Sequence, residues 1–213
     1  MTSDKSKLAP YAVTEEQKAA KRQAILGSTC AVIANRGVHR CSFAAVATDC
    51  GLSVGMIQHY FSSRSALLSA AIDHRIHESE NEWLRIVREH RPGLDQLRAL
   101  VMFSVDSERE FGDGWGFWLE VFAAARHDEE LAGAVNEALE TWRGFFMRAL
   151  ILAQDSGAVR ADRPAQPTAQ LLLALVDGLA MQTSISSYAA TPERMREHLL
   201  GFVDDYLGGP APR

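Results

Sequence analysis

Residues 42 to 61 read SFAAVATDCGLSVGMIQHYF, and the reading of this stretch decides the fold. Ser42 is suited to cap a helix, because its hydroxyl oxygen accepts from a backbone N–H that has no partner inside the helix. FAAVATDC supplies a short helix of mostly small and apolar residues, and Gly51 ends it, since glycine tolerates the backbone angles of a sharp reversal. Ser53 repeats the cap and a second short helix follows. A helix from Ser42, a turn at Gly51 and a helix from Ser53 predict a helix-turn-helix. In that motif the first helix crosses the DNA backbone, and the second lies in the major groove with its N-terminal residues at base edges. Ile57 and Phe61 stand one helical turn apart and anchor the second helix, with Val46 and Leu52 filling the space beneath. Val54, Met56, Gln58 and His59 are left for the groove side, and Gly55 puts no side chain between helix and DNA.

A short helix, a glycine and another short helix also occur in helical proteins that bind nothing. The charge distribution favours DNA. The 213-residue chain has a formal net charge of −5, yet residues 1–75 hold nine basic and five acidic side chains and are positive. A positive head on a negative body suits a polyanion at one end only. Arg64 follows Phe61 at a helix start, and Ser42 and Ser53 place hydroxyls at helix N-termini suited to phosphates.

Outward from the motif the pattern stays helical. Thr14-Glu15-Glu16-Gln17 is a capping-box start, followed by an apolar stripe at Ile25, Leu26, Thr29, Val32 and Ile33. That helix is expected to stop at Gly37 in a left-handed cap. A helix from near Ser63 runs to about His90, where Arg91-Pro92-Gly93 breaks it. LDQLRALVMFSV is one amphipathic stretch, and FGDG (111–114) separates it from WGFWLEVFAAARH. Residues 129–155 form a long helix closed by Ser156-Gly157, and Pro164 and Pro167 mark a loop. TAQLLLALVDGLAMQTSIS is apolar on nearly every side, Thr191-Pro192-Glu193 starts a last helix to about Leu207, and GGPAPR is a frayed tail. Strand alternation and repeats are absent from the sequence, so the fold class is all-α, with about nine helices.

Composition excludes other classes. At 47% hydrophobic residues the chain buries a sizeable core. No apolar run approaches the ~18 residues of a membrane span. The N-terminus lacks a secretory pattern, and Cys30, Cys41 and Cys50 have no C-x-x-C spacing, so they read as reduced thiols of a cytoplasmic protein. The seven histidines are scattered, without a Ser/His/Asp or phosphate-loop motif. His74, His77 and Glu78 read as a solvated helix face rather than a metal site. His127-Asp128-Glu129-Glu130 looks catalytic, but acids gather at helix starts for reasons of the macrodipole. No enzyme, cofactor or metal is expected.

The motif and its surroundings resemble a known family. Residues 18–75 look like the DNA-binding head of the TetR family of bacterial transcriptional repressors: a helix ending in glycine, a Ser/Thr cap and an A-x-x-x-G-V/L-S-x-G core ending in an aromatic pair. Here it stands as SFAAVATDCGLSVGMIQHYFSSRSALLSAAID. WGFWLEVFAAARHDEEL and LLLALVDGLAMQTSI look most like the branch containing the choline-responsive repressor of the betaine pathway. The resemblance implies phosphate contacts at Ser42, Tyr60 and Arg64, and base-edge contacts at Val54, Gly55, Met56 and His59. Gln58 stands where many members have tyrosine, and a glutamine bonding adenine bidentately is worth ~1–3 kcal/mol of discrimination. It further implies a tail over 1–14, a head over 15–62, a linking helix over 63–90, a ligand-binding and dimerisation body over 91–208, and a tail over 209–213.

Trp115, Trp118 and Phe122 recur at i, i+3 and i+7, Trp142, Phe145 and Phe146 add a second cluster, and Met102, Phe103 and Met181 are placed to close a cavity. Spacing alone favours ordinary core packing over ligand lining. The resemblance implies an inducer pocket lined by Met102, Phe103, Trp115, Trp118, Phe122, Trp142, Phe146 and Met181. Such a pocket suits a quaternary ammonium through cation–π contacts, or a flat apolar molecule. The apolar segment 169–181 and the last helix, with Met195, Leu199, Phe202, Val203 and Tyr206, are expected to pair with their symmetry mates in a homodimer. Its two heads would meet half-sites of a palindromic operator about one DNA turn apart. The reading is a dimeric, ligand-responsive repressor. The alternatives are a nonspecific architectural DNA binder, and a helical ligand-binding protein or enzyme without a DNA role.

Overall fold

The structure, a computed structural model, describes residues 14–106, 114–185 and 191–208. The FGDG interruption, apart from Gly114, and most of the expected tails lie outside these residues. Nine α-helices are described: α1 (Glu15–Arg36), α2 (Phe43–Cys50), α3 (Val54–Tyr60), α4 (Arg64–Glu89), α5 (Leu94–Asp106), α6 (Trp115–Ala125), α7 (Glu129–Asp155), α8 (Ala165–Ser184) and α9 (Pro192–Gly201). No strand occurs among the described residues beyond one isolated bridge, Val159 to Gly208.

Local chemistry sets most helix starts. The Thr14 hydroxyl accepts from the Gln17 amide at 3.2 Å while the Gln17 side chain accepts from the Thr14 amide at 3.1 Å, a complete capping box. Ser42, Ser53 and Ser63 accept from the amides of Ala45, Met56 and Ala66. Asp128 caps α7 by accepting from two amides at 3.1 Å, which gives the acids of that stretch their structural role. Gly51 takes the left-handed conformation (φ 66°, ψ 26°). Gly37 corrects expectation: its φ of 83° comes with ψ of 158°, an extended mirror region open essentially to glycine alone and not a left-handed helical cap. Two further boundaries differ. The loop expected through Pro167 ends earlier, because α8 begins at Ala165; proline is tolerated in a first turn, where its missing N–H would find no partner. The last helix is α-helical only to Gly201 and continues as a π-helical turn over Phe202–Leu207.

The head packs Ile25, Leu26 and Ile33 of α1 against Val46 of α2, Ile57 and Phe61 around α3, and Leu67, Leu68 and Ile72 of α4. The same α4 then enters the body, where Trp83 and Ile86 are buried. The Gln96 side chain donates to the Val87 carbonyl at 3.0 Å and ties α5 to it. α6 lies on the head as well as in the body: a Cβ placed at Gly116 would sit 3.4 Å from the Ala34 carbonyl oxygen of α1. α8 keeps Leu172, Leu173 and Val176 inside and leaves Leu171, Met181 and Ile185 exposed. Of the stripe assigned to pairing on the last helix, Met195, Leu199 and Val203 are buried within the protomer. They are taken up by packing against α5 and α8, so only Phe202 and Tyr206 remain part-exposed there.

Candidate nucleic-acid interface and ligand cavity

The recognition helix presents the side chains expected of it. Ile57 is fully buried and Phe61 nearly so, while Val54, Gly55, Gln58 and His59 are exposed and Met56 and Tyr60 are half-buried. The Ser42 and Ser53 hydroxyls are exposed at the starts of α2 and α3. The Arg22 guanidinium lies over the Phe61 ring, 5.4 Å from its centre, which steadies α1 against the end of α3. Arg64 remains exposed while its Nε donates to the Cys41 carbonyl at 2.7 Å and an Nη donates to the Val38 carbonyl. It thereby ties the start of α4 to the segment between α1 and α2.

The body contains a cavity of about 40 Å³ lined by Ser79, Trp83, Phe103, Ser104, Trp115, Trp118, Trp142, Phe146, Leu173, Val176 and Asp177. Five helices, α4 to α8, contribute to its wall. Trp118 and Trp142 meet edge to face with ring centres 4.6 Å apart. Trp83 meets Phe146 the same way at 5.1 Å. The Trp115 indole N–H donates to the Ser104 carbonyl at 3.1 Å, which fixes its ring in the wall. Among the described residues, Asp177 Oδ1 and the indole N–H groups of Trp83 and Trp142 are buried without a hydrogen-bond partner. Burial pushes the Asp177 carboxyl up to about 6. Among the described residues no cation offsets that shift.

Sequence reasoning and structure agree on part of this wall. Phe103, Trp115, Trp118, Trp142 and Phe146 line the cavity; Met102, Phe122 and Met181 do not. Phe122 leans on the outer side of Trp118 with ring centres 5.9 Å apart, and Met181 is 48% exposed one turn beyond the cavity end of α8. The residues missed are Ser79, Trp83, Ser104, Leu173, Val176 and, above all, Asp177. An aspartate within the apolar run LLLALVDGLAM was the available signal, because a lone acid on a buried face calls for a partner.

A helix-turn-helix head joined by a shared helix to a body with an aromatic-walled cavity is the architecture of a ligand-responsive transcriptional regulator. The chain belongs to the TetR family of bacterial regulatory proteins: residues 25–71 match that family's N-terminal model, and residues 93–208 match the model described as the C-terminal part of BetI-type transcriptional repressors. It is 27% identical over 192 residues to the HTH-type transcriptional regulator BetI of Stenotrophomonas maltophilia, covering 90% of this chain and 95% of that one. It is likewise 27% identical over 187 residues to the regulator PksA of Bacillus subtilis, covering 86% and 88%. Among solved structures, a TetR-family regulator from Rhodococcus sp. superposes with a TM-score of 0.78 at 26% identity, covering 88% of this chain and 98% of that one. A regulator from Saccharomonospora viridis, in complex with choline, has the same fold with a TM-score of 0.83 at 24% identity, covering 90% and 99%. The protein is therefore a DNA-binding regulator of a repressor family and not an enzyme. Among the described residues no helix is long and apolar enough to cross a membrane.

Proposed function

We propose that this protein is a dimeric repressor of a palindromic operator, released from DNA when a quaternary ammonium cation enters the body cavity. In this reading residues 15–62 are the DNA-binding head, 63–90 the linking helix and 91–208 the body. The observation that carries the ligand class is Asp177: a carboxylate with its Oδ1 buried and without a countercharge among the described residues, in a wall that includes four tryptophans. A flat neutral molecule would leave that acid uncompensated, whereas a cation is attracted by the carboxylate and by the ring faces around it, each face worth ~0.5–2 kcal/mol. The choline bound in the Saccharomonospora viridis protein, which shares this fold, supports the same class.

The size of the cavity suggests how binding acts. A cavity of about 150 Å³ takes up benzene, and this one has about 40 Å³. A trimethylammonium group therefore enters only if the helices of the wall part, which makes ligand binding and helix displacement one event. Exposed Leu171 and Met181 on α8, with Ile185 at its C-cap, support pairing of this face with a second copy.

Titration of tryptophan fluorescence with choline and with its uncharged isostere 3,3-dimethylbutan-1-ol tests the ligand class. Choline is expected to bind and to release a selected operator duplex, with Asp177→Asn weakening it at least tenfold. Equal affinity for the isostere would sink the cationic reading.

A further inference from the structure

Helices α4 and α7 separate the ligand cavity from an outer groove by a wall one residue thick. Ser79 and Trp83 of α4, with Trp142 and Phe146 of α7, face the cavity. The residues beside them in sequence, Glu80, Leu84, Thr141 and Phe145, line a groove of about 440 Å³ that is open to solvent. Phe145 is half-buried, and its ring meets Trp83 edge to face with centres 4.9 Å apart. Behind that pair of rings lies the cavity. Trp115 on α6 is fixed by its bond to the Ser104 carbonyl, whereas the Trp83 indole N–H has no hydrogen-bond partner among the described residues. Moving Trp83 and Phe145 therefore breaks ring contacts only, and the wall yields more readily here than at α6.

The groove has an acidic end. Glu130 at the start of α7 accepts from Ser65 and Ser69 of α4, and farther along both helices Phe145 meets Trp83, so α4 and α7 run side by side in the same direction. That direction puts Glu80 beside Glu140 at one end of the groove, and Leu84 beside Arg148 at the other. Glu140 is paired with Arg143 on its own helix. Glu80 has no ion pair or hydrogen bond among the described residues, which leaves its charge to the groove. We propose that a quaternary ammonium cation reaches the cavity through this groove, drawn by Glu80 and admitted when the Phe145 and Trp83 rings swing apart. The carboxylates attract such a cation, Arg148 turns it away from the far end, and the half-buried Phe145 ring offers it a face on the way in. The inference rests on the reading that a cation occupies the cavity, and adds the path by which it arrives.

Rapid mixing of the full-length protein with choline, followed by tryptophan fluorescence, tests the route, since all four tryptophans of the chain line the cavity. Glu80→Gln is expected to slow association about threefold at low salt, the factor for one unit charge ~6 Å from the path in water, and to leave dissociation unchanged. Glu137→Gln, exposed on α7 outside the groove, should change neither rate. Phe145→Leu, chosen over alanine to preserve packing on Trp83, is expected to speed association and dissociation by the same factor and so to leave affinity unchanged. A residue that only contacts the bound ligand would alter dissociation alone. Wild-type association rates in both Glu80→Gln and Phe145→Leu would overturn the route. If the wild type does not bind choline, the ligand class fails, and the route is read by fluorescence quenching with the N-methylpyridinium cation and with neutral acrylamide. Glu80→Gln should then reduce quenching by the cation alone, and Phe145→Leu should raise both. Unchanged quenching in the two variants would overturn the route independently of choline.

Discussion

At the scale of the single residue, Asp177 combines a stability cost with the binding role proposed for it. Its carboxyl is raised from an ordinary 3.8 to about 6 by burial, so between about pH 4 and 6 the folded protein holds a proton that the unfolded chain has released. Stability therefore falls as pH rises through that window, and a cost of up to about 3 kcal/mol stands in full above it. Asp177→Asn is expected to raise the melting temperature by several degrees at pH 7.5 and to leave it nearly unchanged at pH 4, read by thermal melts in the absence of ligand. A bound cation needs the ionised form. Choline affinity measured by calorimetry should be flat above pH 7 and fall roughly tenfold per unit once the pH is well below 6. A pH-independent affinity would remove Asp177 from the site.

Elements are held to one another at a few close approaches, and Gly37 is one. It ends α1 with φ at 83°, and a Cβ there would sit 2.7 Å from a carboxylate oxygen of Glu120 on α6. Gly37→Ala combines a conformation that alanine rarely adopts with displacement of that carboxylate, and is expected to cost about 1–3 kcal/mol in urea unfolding. Gly27, mid-helix in α1 with open space around its Cβ position, provides the contrast. Gly27→Ala should stabilise by up to about 1 kcal/mol through helix propensity. A second clamp joins α7 to α4, where Glu130 accepts from Ser69 at 3.0 Å and also from Ser65. Loss of this carboxylate in Glu130→Ala is expected to speed amide exchange in the first turns of α4, which hydrogen-exchange mass spectrometry would register.

For the whole molecule the question is how the cavity speaks to the head. The linking helix α4 is one route, since Ser79 and Trp83 line the cavity while Leu67 and Leu68 pack in the head. A shorter route runs through α6: Trp115 and Trp118 line the cavity, and Gly116 between them rests against Ala34 of α1. In the proposed mechanism, parting of the cavity wall by a cation would thus displace a helix already in contact with the head. Coupling of this kind is typically ~1–3 kcal/mol and must be reciprocal. Gly116→Val wedges α6 away from α1, so it should lower operator affinity and raise choline affinity by a similar factor, as compared in fluorescence and DNA-binding titrations. Wild-type values for both would exclude the α6 route. Dimerisation belongs to the same scale. Leu175→Glu, part-buried on α8, is expected to give a monomer by sedimentation and to abolish tight operator binding, because one head makes too few contacts.

Helix boundaries and the exposed face of α3 were legible in the sequence because the interactions that set them are local. Thr14, Ser42, Ser53, Ser63 and Thr191 each cap an amide three residues ahead. Gly51 turns the chain within its own two bonds, and the period of Ile57 and Phe61 names the buried side of α3 without reference to any other helix. Such signals need only the neighbouring turn. The ligand cavity was half legible, since periodicity marks which residues of a helix are inside but not which helices they meet. Trp115 and Trp118 share a face with Phe122, yet the crossing of α6 with α7 and α8 turns only the first two into the cavity. Trp83 and Phe103 lie 20 positions apart in sequence and 6.4 Å apart in space. Arg64 reads as a phosphate ligand by position, and the packed head adds that its exposed side chain also donates to two carbonyls. Asp177 is an isolated acid in an apolar run until five helices close around it. The tertiary structure decided these because burial and charge compensation depend on the neighbours that packing brings from distant parts of the chain.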